Sequence, residues 1–211
     1  MKLELGSAIR CADGVAWELV DVVIDSESNS VTHLVVQPHD RADDARLVPI
    51  QLAEHSQDGP AGISLECDAG SLERFERVHH FEILNLGERP DEGREWDVGV
   101  EDITLAPVYA SSALGGYAGE IDPDMTISYD RIPKGEIELR RASTVYSADG
   151  HHLGSVDGVV VDADRLTHLL FERGHLWWKR QVAVPAKAIS KFESDMVTLG
   201  LNKRELSSGG R

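Results

Sequence analysis

Asp149-Gly150-His151-His152-Leu153-Gly154-Ser155-Val156-Asp157-Gly158-Val159-Val160-Val161-Asp162 is the stretch whose reading decides the fold of this 211-residue chain. Aspartate followed by glycine supplies backbone that tolerates positive φ, so the stretch opens on a tight turn. A β-branched run follows and predicts a strand. Gly154 and Gly158 interrupt it at positions where a strand bends or bulges, and Asp162 closes it.

A weaker copy lies near the other end of the chain. Asp13-Gly14 precedes a strand predicted from Trp17 to Asp25, apolar on both faces near its middle, with Glu18 where the second copy has Gly154. Thr32-His33-Leu34 answers Thr167-His168-Leu169, Val48-Pro49 answers Val184-Pro185, and Ile63-Ser64-Leu65 answers Val197-Thr198-Leu199. Counted from Asp13 and Asp149, the four landmarks sit 136, 135, 136 and 134 residues apart, in one order. That is the signature of an internal repeat. Each copy reads as short strands with short connections: Trp17 to Asp25, Val31 to Gln37, Leu47 to Pro49 and Gly62 to Cys67 in the first. Such a unit is expected to close as a small barrel, because closure removes exposed sheet edges.

The turn Asp-Gly, the glycine-spaced strand ending in Asp, the Thr-His-Leu opening and the Val-Pro ending resemble the PRC-barrel family. The second copy carries the resemblance through Asp149-Gly150, Gly154, Asp162, Thr167-His168-Leu169 and Val184-Pro185. The resemblance implies a mainly β protein of two tandem SH3-like barrels, residues 1–83 and 137–206, with residues 207–211 a disordered tail. It implies a role in protein–protein contact or assembly and supplies no shared catalytic residues, so no catalytic, cofactor or metal residue is assigned. The ribosome-maturation members place a different domain before a single barrel, and the reaction-centre members carry a membrane helix; neither pattern is matched here.

Between the copies, residues 84–136 hold twelve acids against four bases. Trp96, Ile103, Leu105, Val108, Tyr109 and Tyr129 can pack, so the expectation is an acidic, partly ordered connecting arm. Ahead of it, Ser71 to Phe81 puts Leu72, Phe75 and Val78 at helical spacing and predicts a short helix capped by Ser71.

The composition, 41% hydrophobic and 27% charged, belongs to a globular protein. A net charge of −16 argues against nucleic acid, whose binders carry a basic footprint. No apolar run is long enough to span a bilayer, and Glu4 falls where a signal peptide needs an apolar core, so a cytoplasmic protein is expected. Cys11 and Cys67 both fall in predicted strands and read as buried thiols, with a disulfide between first and last strands as the alternative.

Candidate chemistry is sparse. His79-His80 and His151-His152 are adjacent pairs, which point to opposite faces of a strand and cannot close on one metal ion there. Asp122, Asp124 and Asp130 gesture at a calcium loop, but Ile127 takes the glycine position and Pro133 the closing-acid position, so the segment reads as a solvated turn. The informative surface is Arg173, His175, Trp177, Trp178, Lys179 and Arg180, on a hairpin between the third and fourth strands of the second copy. Neighbouring tryptophans on a strand face opposite ways, so one ring needs a partner outside its own core. That partner is a protein, the chain itself or a second copy in a homodimer. The rival readings are a ligand pocket or enzyme between the barrels, lined by His175 with Trp177 or Trp178, and an accessory factor in ribosomal RNA maturation.

Overall fold

The computed structural model describes residues 1–39, 41, 44–55, 62–84, 96–105, 125–174, 180–193 and 195–208. The chain divides into two compact units, one of residues 1–76 with 135–211 and one of residues 77–134.

The larger unit is built from strands β1 (Lys2–Glu4), β2 (Ala8–Arg10), β3 (Ala16–Asp25), β4 (Ser30–Gln37), β5 (Arg46–Pro49), β6 (Ala53–His55) and β7 (Ile63–Leu65), followed by helix α1 (Ala69–Leu72). In the smaller unit lie β8 (His79–Leu84), β9 (Trp96–Leu105) and β10 (Met125–Pro133). The chain then returns to the larger unit through β11 (Glu136–Arg140), β12 (Thr144–Tyr146), β13 (His152–Asp162), β14 (Arg165–Arg173), β15 (Arg180–Pro185), β16 (Ile189–Glu193), β17 (Met196–Leu199) and helix α2 (Lys203–Ser208).

Two sets of six strands are wired alike. In the first half β2 pairs β3 antiparallel and β7 parallel, β3 pairs β4, β4 pairs β5, and β6 pairs β7. In the second half β12 pairs β13 antiparallel and β17 parallel, β13 pairs β14, β14 pairs β15, and β16 pairs β17. The long central ladders, β3–β4 and β13–β14, agree in their bulges. Leu19 faces Val36 and Asp21 faces Val35, across a bulge; Val156 faces Phe171 and Gly158 faces Leu170, across the matching bulge. A second bulge follows Val23 in one half and Val160 in the other.

The halves are interlocked rather than strung in tandem. β1, at the head of the first half, lies on β13 of the second, with Leu3 opposite Val159. β11, at the head of the second half, lies on β3 of the first, with Leu139 opposite Val22. Where the halves meet, Ser30 pairs Arg165, Val31 N–H donates to Asp164 O at 2.8 Å, and Leu166 N–H donates to Asn29 O at 2.9 Å. These bonds are related as if by a twofold axis between β4 and β14.

The mainly β class expected from the sequence is present, while closure of two barrels at 1–83 and 137–206 is not shown. The described ladders form one 14-stranded sheet in which neither β5 with β6 nor β15 with β16 is paired. The physical reason is local. Pro49 and Pro185 end β5 and β15, and each leads into a single 3-10 turn, Ile50–Leu52 and Ala186–Ala188, that carries the chain around the sheet corner without a ladder partner. One hydrophobic core then serves both halves, with Leu3, Leu34, Leu139, Leu169 and Phe171 among its members. Val22, Val23 and Ile24 are all fully buried, as in a strand covered on both faces.

Gly158 shows what the interlock requires. A β-carbon there would lie 2.2 Å from Leu3 O, so only glycine lets β1 cross at this height. At Gly154 the obstacle is Glu172 O, 1.8 Å from the β-carbon position.

The smaller unit is a three-stranded antiparallel sheet with β10 in the centre, flanked by β8 and β9. The acidic arm therefore contains regular strand. Two further expectations change. The helix predicted from Ser71 to Phe81 runs only over Ala69–Leu72 and is capped by Asp68, whose side chain accepts from Ser71 N–H at 2.6 Å, while His79 begins β8. Asp130 is no solvated turn. It lies in β10, is 3% exposed, and sits 2.5 Å from His79 Nδ1, while Asp122 and Asp124 fall outside the described residues.

Candidate interaction surface

The hairpin singled out by sequence is formed at its base. β14 and β15 pair from His168 opposite Pro185 to Arg173 opposite Arg180. Of the six candidate residues, the structure places Arg173 and Arg180 together on this last rung; His175, Trp177, Trp178 and Lys179 lie outside the described residues. Among the described residues neither guanidinium has an ion-pair or hydrogen-bond partner. Gln181, next along β15, reaches back to Asp157 on β13 and is reached by Lys2 Nζ at 2.8 Å.

Beside the rung runs a groove of about 580 Å³. Phe171, Val182 and Ala183 give it an apolar floor, Leu206 of α2 forms one wall, and Arg173 and Arg180 stand at its charged end. Apolar surface here lies beside guanidinium groups that have no partner among the described residues.

Other clusters have structural roles. Thr32 Oγ donates to the Glu136 carboxylate, and His33 Nδ1 lies 3.7 Å from the same carboxylate, so the β11 strand is tied to β4. Burial pushes the His33 imidazole below its ordinary range, and Glu136 only partly offsets it. In the smaller unit His79 meets Asp130, and His80 stacks on Tyr129 with ring centroids 5.6 Å apart. The paired histidines thus turn to different neighbours. His151 lies 3.3 Å from Asp149, and His152 meets the edge of Tyr146. Among the described residues no group of three or more His, Cys, Asp or Glu side chains gathers into a metal shell.

Both cysteines are free. Burial, with Asp13 nearby, pushes the Cys11 thiol up to about 11, and burial also raises Cys67. Neither is an activated nucleophile in this environment. No helix among the described residues is long and apolar enough to cross a membrane.

Sequence reasoning found the hairpin through its tryptophans and arginines but missed Leu206 as a wall of the groove. The signal was present: Leu206 follows Leu199 at the distance that Leu72 follows Leu65 in the first copy. A scan of protein-family models finds no match to the chain, and a search of curated proteins finds no similar one.

Proposed function

We propose that this chain is a duplicated PRC-type module that works without catalysis, by binding a protein partner through the β14–β15 hairpin. The observation that carries the reading is the pair Arg173 and Arg180, without a partner among the described residues, lining one groove with Phe171, Val182 and Leu206 on the rung that leads to Trp177 and Trp178. Buried or partnered arginines would be structural; half-buried Arg173 and exposed Arg180 on one rung beside apolar surface are arranged as the rim of a contact. The matching ladders of the two halves support descent from one duplicated unit, and the net charge of −16 supports a protein rather than a nucleic-acid partner.

Affinity purification of the tagged full chain from its native host tests this, run beside Trp178→Ala. The reading predicts one co-purifying protein that is depleted in the variant, while thermal unfolding of the two proteins agrees within a few degrees. An unchanged set of co-purifying proteins would remove the hairpin from the function.

A further inference from the structure

The two halves are alike in their ladders but not at their outer edges, and the difference identifies an occupant for the groove. In the first half the outer edge of β5 is covered by the chain that leaves α1. Leu47 N–H donates to Glu76 O at 2.9 Å, Arg46 Nη1 donates to Phe75 O at 3.1 Å, and the Phe75 ring packs against the core. α2 occupies the place of α1 in the second half. Leu72 N–H donates to Asp68 O and Leu206 N–H to Asn202 O, each at 3.2 Å, so Leu72 and Leu206 are counterparts. Continuing in step, Gly209 and Gly210 stand in the sequence where the first half has Phe75 and Glu76, and glycine has no ring to bury.

The counterpart of Leu47 is Ala183. Leu47 is opposite Val35, two rungs from Pro49 opposite His33; Ala183 is opposite Leu170, two rungs from Pro185 opposite His168. Residues two apart on a strand share the direction of their N–H, and a proline must turn its nitrogen away from the neighbouring strand. The Ala183 N–H therefore points outward, as Leu47 N–H does. No described residue accepts from it. Ala183 is exposed, where Leu47 is 4% exposed. The charge changes as well: Asp44, paired with Arg41 and Arg46 beside β5, is replaced in step by Arg180.

We propose that β15 takes up an extended segment of the partner protein by strand addition, and that this segment carries an aromatic side chain flanked by acids. Its carbonyl takes the Ala183 N–H as Glu76 O takes that of Leu47. Its ring fills the groove over Phe171, Val182 and Leu206 as Phe75 fills the first half, and its acids meet Arg173 and Arg180. Backbone pairing supplies register, and the pocket and the arginines supply selectivity. The inference rests on the proposed function and names the chemistry of its partner.

A fluorescently labelled pentapeptide, a central phenylalanine with two acids on each side, is titrated into the full chain at low salt. Two control peptides are used, one with alanine for phenylalanine and one with lysines for the acids. The proposal predicts saturable binding that weakens about tenfold without the ring, about tenfold in Arg173→Glu/Arg180→Glu, and not at all for an Asp25→Asn control. Ala183→Pro, on the side of the strand that Pro185 already occupies, removes the donor and should weaken binding several-fold with the arginines intact. The Ala183 amide should exchange more slowly with peptide bound. Equal binding of the lysine peptide, or unchanged binding in the arginine variant, would overturn the proposal. No binding by the acidic peptide while Trp178→Ala still loses its cellular partner would also overturn it, leaving the hairpin reading in place. Edge binding with an unaffected Trp178→Ala pull-down would instead remove the hairpin tip alone.

Discussion

At the edge of β5, chain from the same half caps the last strand; at the edge of β15, no described residue takes the equivalent donor, which lies beside a groove and two arginines. The two halves share their strand pairing, and the β3–β4 and β13–β14 ladders share the placement of both bulges. Shared features therefore report what the fold requires, and the place where the copies part reports what one of them has been freed to do. A covered edge contributes stability. An open edge costs some and offers backbone to another chain.

The interlock gives the largest expected effects. Leu3 and Leu139 are fully buried at equivalent places on exchanged strands, so Leu3→Ala and Leu139→Ala should each lower stability by about 3 kcal/mol in urea unfolding. Unequal costs differing by more than about 2 kcal/mol would break the equivalence of the halves. Next comes Gly158→Ala, which drives a β-carbon into Leu3 O and should cost about 2–3 kcal/mol by the same measurement. The first half holds Asp21 at that rung, where a β-carbon is already accommodated, so Asp21→Ala should cost less than Gly158→Ala.

At the edges, Phe75→Ala should cost about 1–2 kcal/mol, because a half-buried ring leaves the core and the Glu76 strap loosens. Leu206→Ala, beside the open groove, should cost less than Phe75→Ala in the same assay.

The smallest effect concerns pH. His33 has a folded pKa below its unfolded value, so the unfolded chain binds its proton first as pH falls. The neutral imidazole's contribution is present above the ordinary histidine range and is lost as pH drops through it toward the lowered value. His33→Gln should therefore flatten part of the fall in melting temperature between pH 7.5 and 5.5. An unchanged slope would show that the burial of His33 does not carry it.

Much of the larger unit was legible in the sequence because its signals are local. Asp-Gly turns, β-branched runs and the two Val-Pro endings fix strands and their order, and Thr32-His33-Leu34 and Thr167-His168-Leu169 fall on equivalent rungs. The strand exchange was not legible. Lys2-Leu3-Glu4 alternates like any short strand, and nothing in it names a partner more than 150 residues away. The helix beyond Leu72 was misread because Leu72, Phe75 and Val78 keep helical spacing while tertiary bonds win: Phe75 O serves Arg46, and Val78 O accepts from Arg131 N–H within the smaller unit. Asp130 was misread because its acidic neighbours suggested a loop, while the alternation of Met125, Ile127 and Tyr129 spelled a strand. Of the candidate surface, the arginine rung was readable from the hairpin; the open edge was not, since it exists only by contrast with the covered one.

Amide hydrogen exchange of the free, full-length chain compares the two edges directly. The account predicts that Leu47 exchanges slowly, through opening of the Glu76 strap, while Ala183 exchanges orders of magnitude faster even though Leu34 and Leu169 behind them are equally protected. Slow exchange at Ala183 matching that at Leu47 would mean that the second edge is already covered, and would contradict the difference on which the binding role stands.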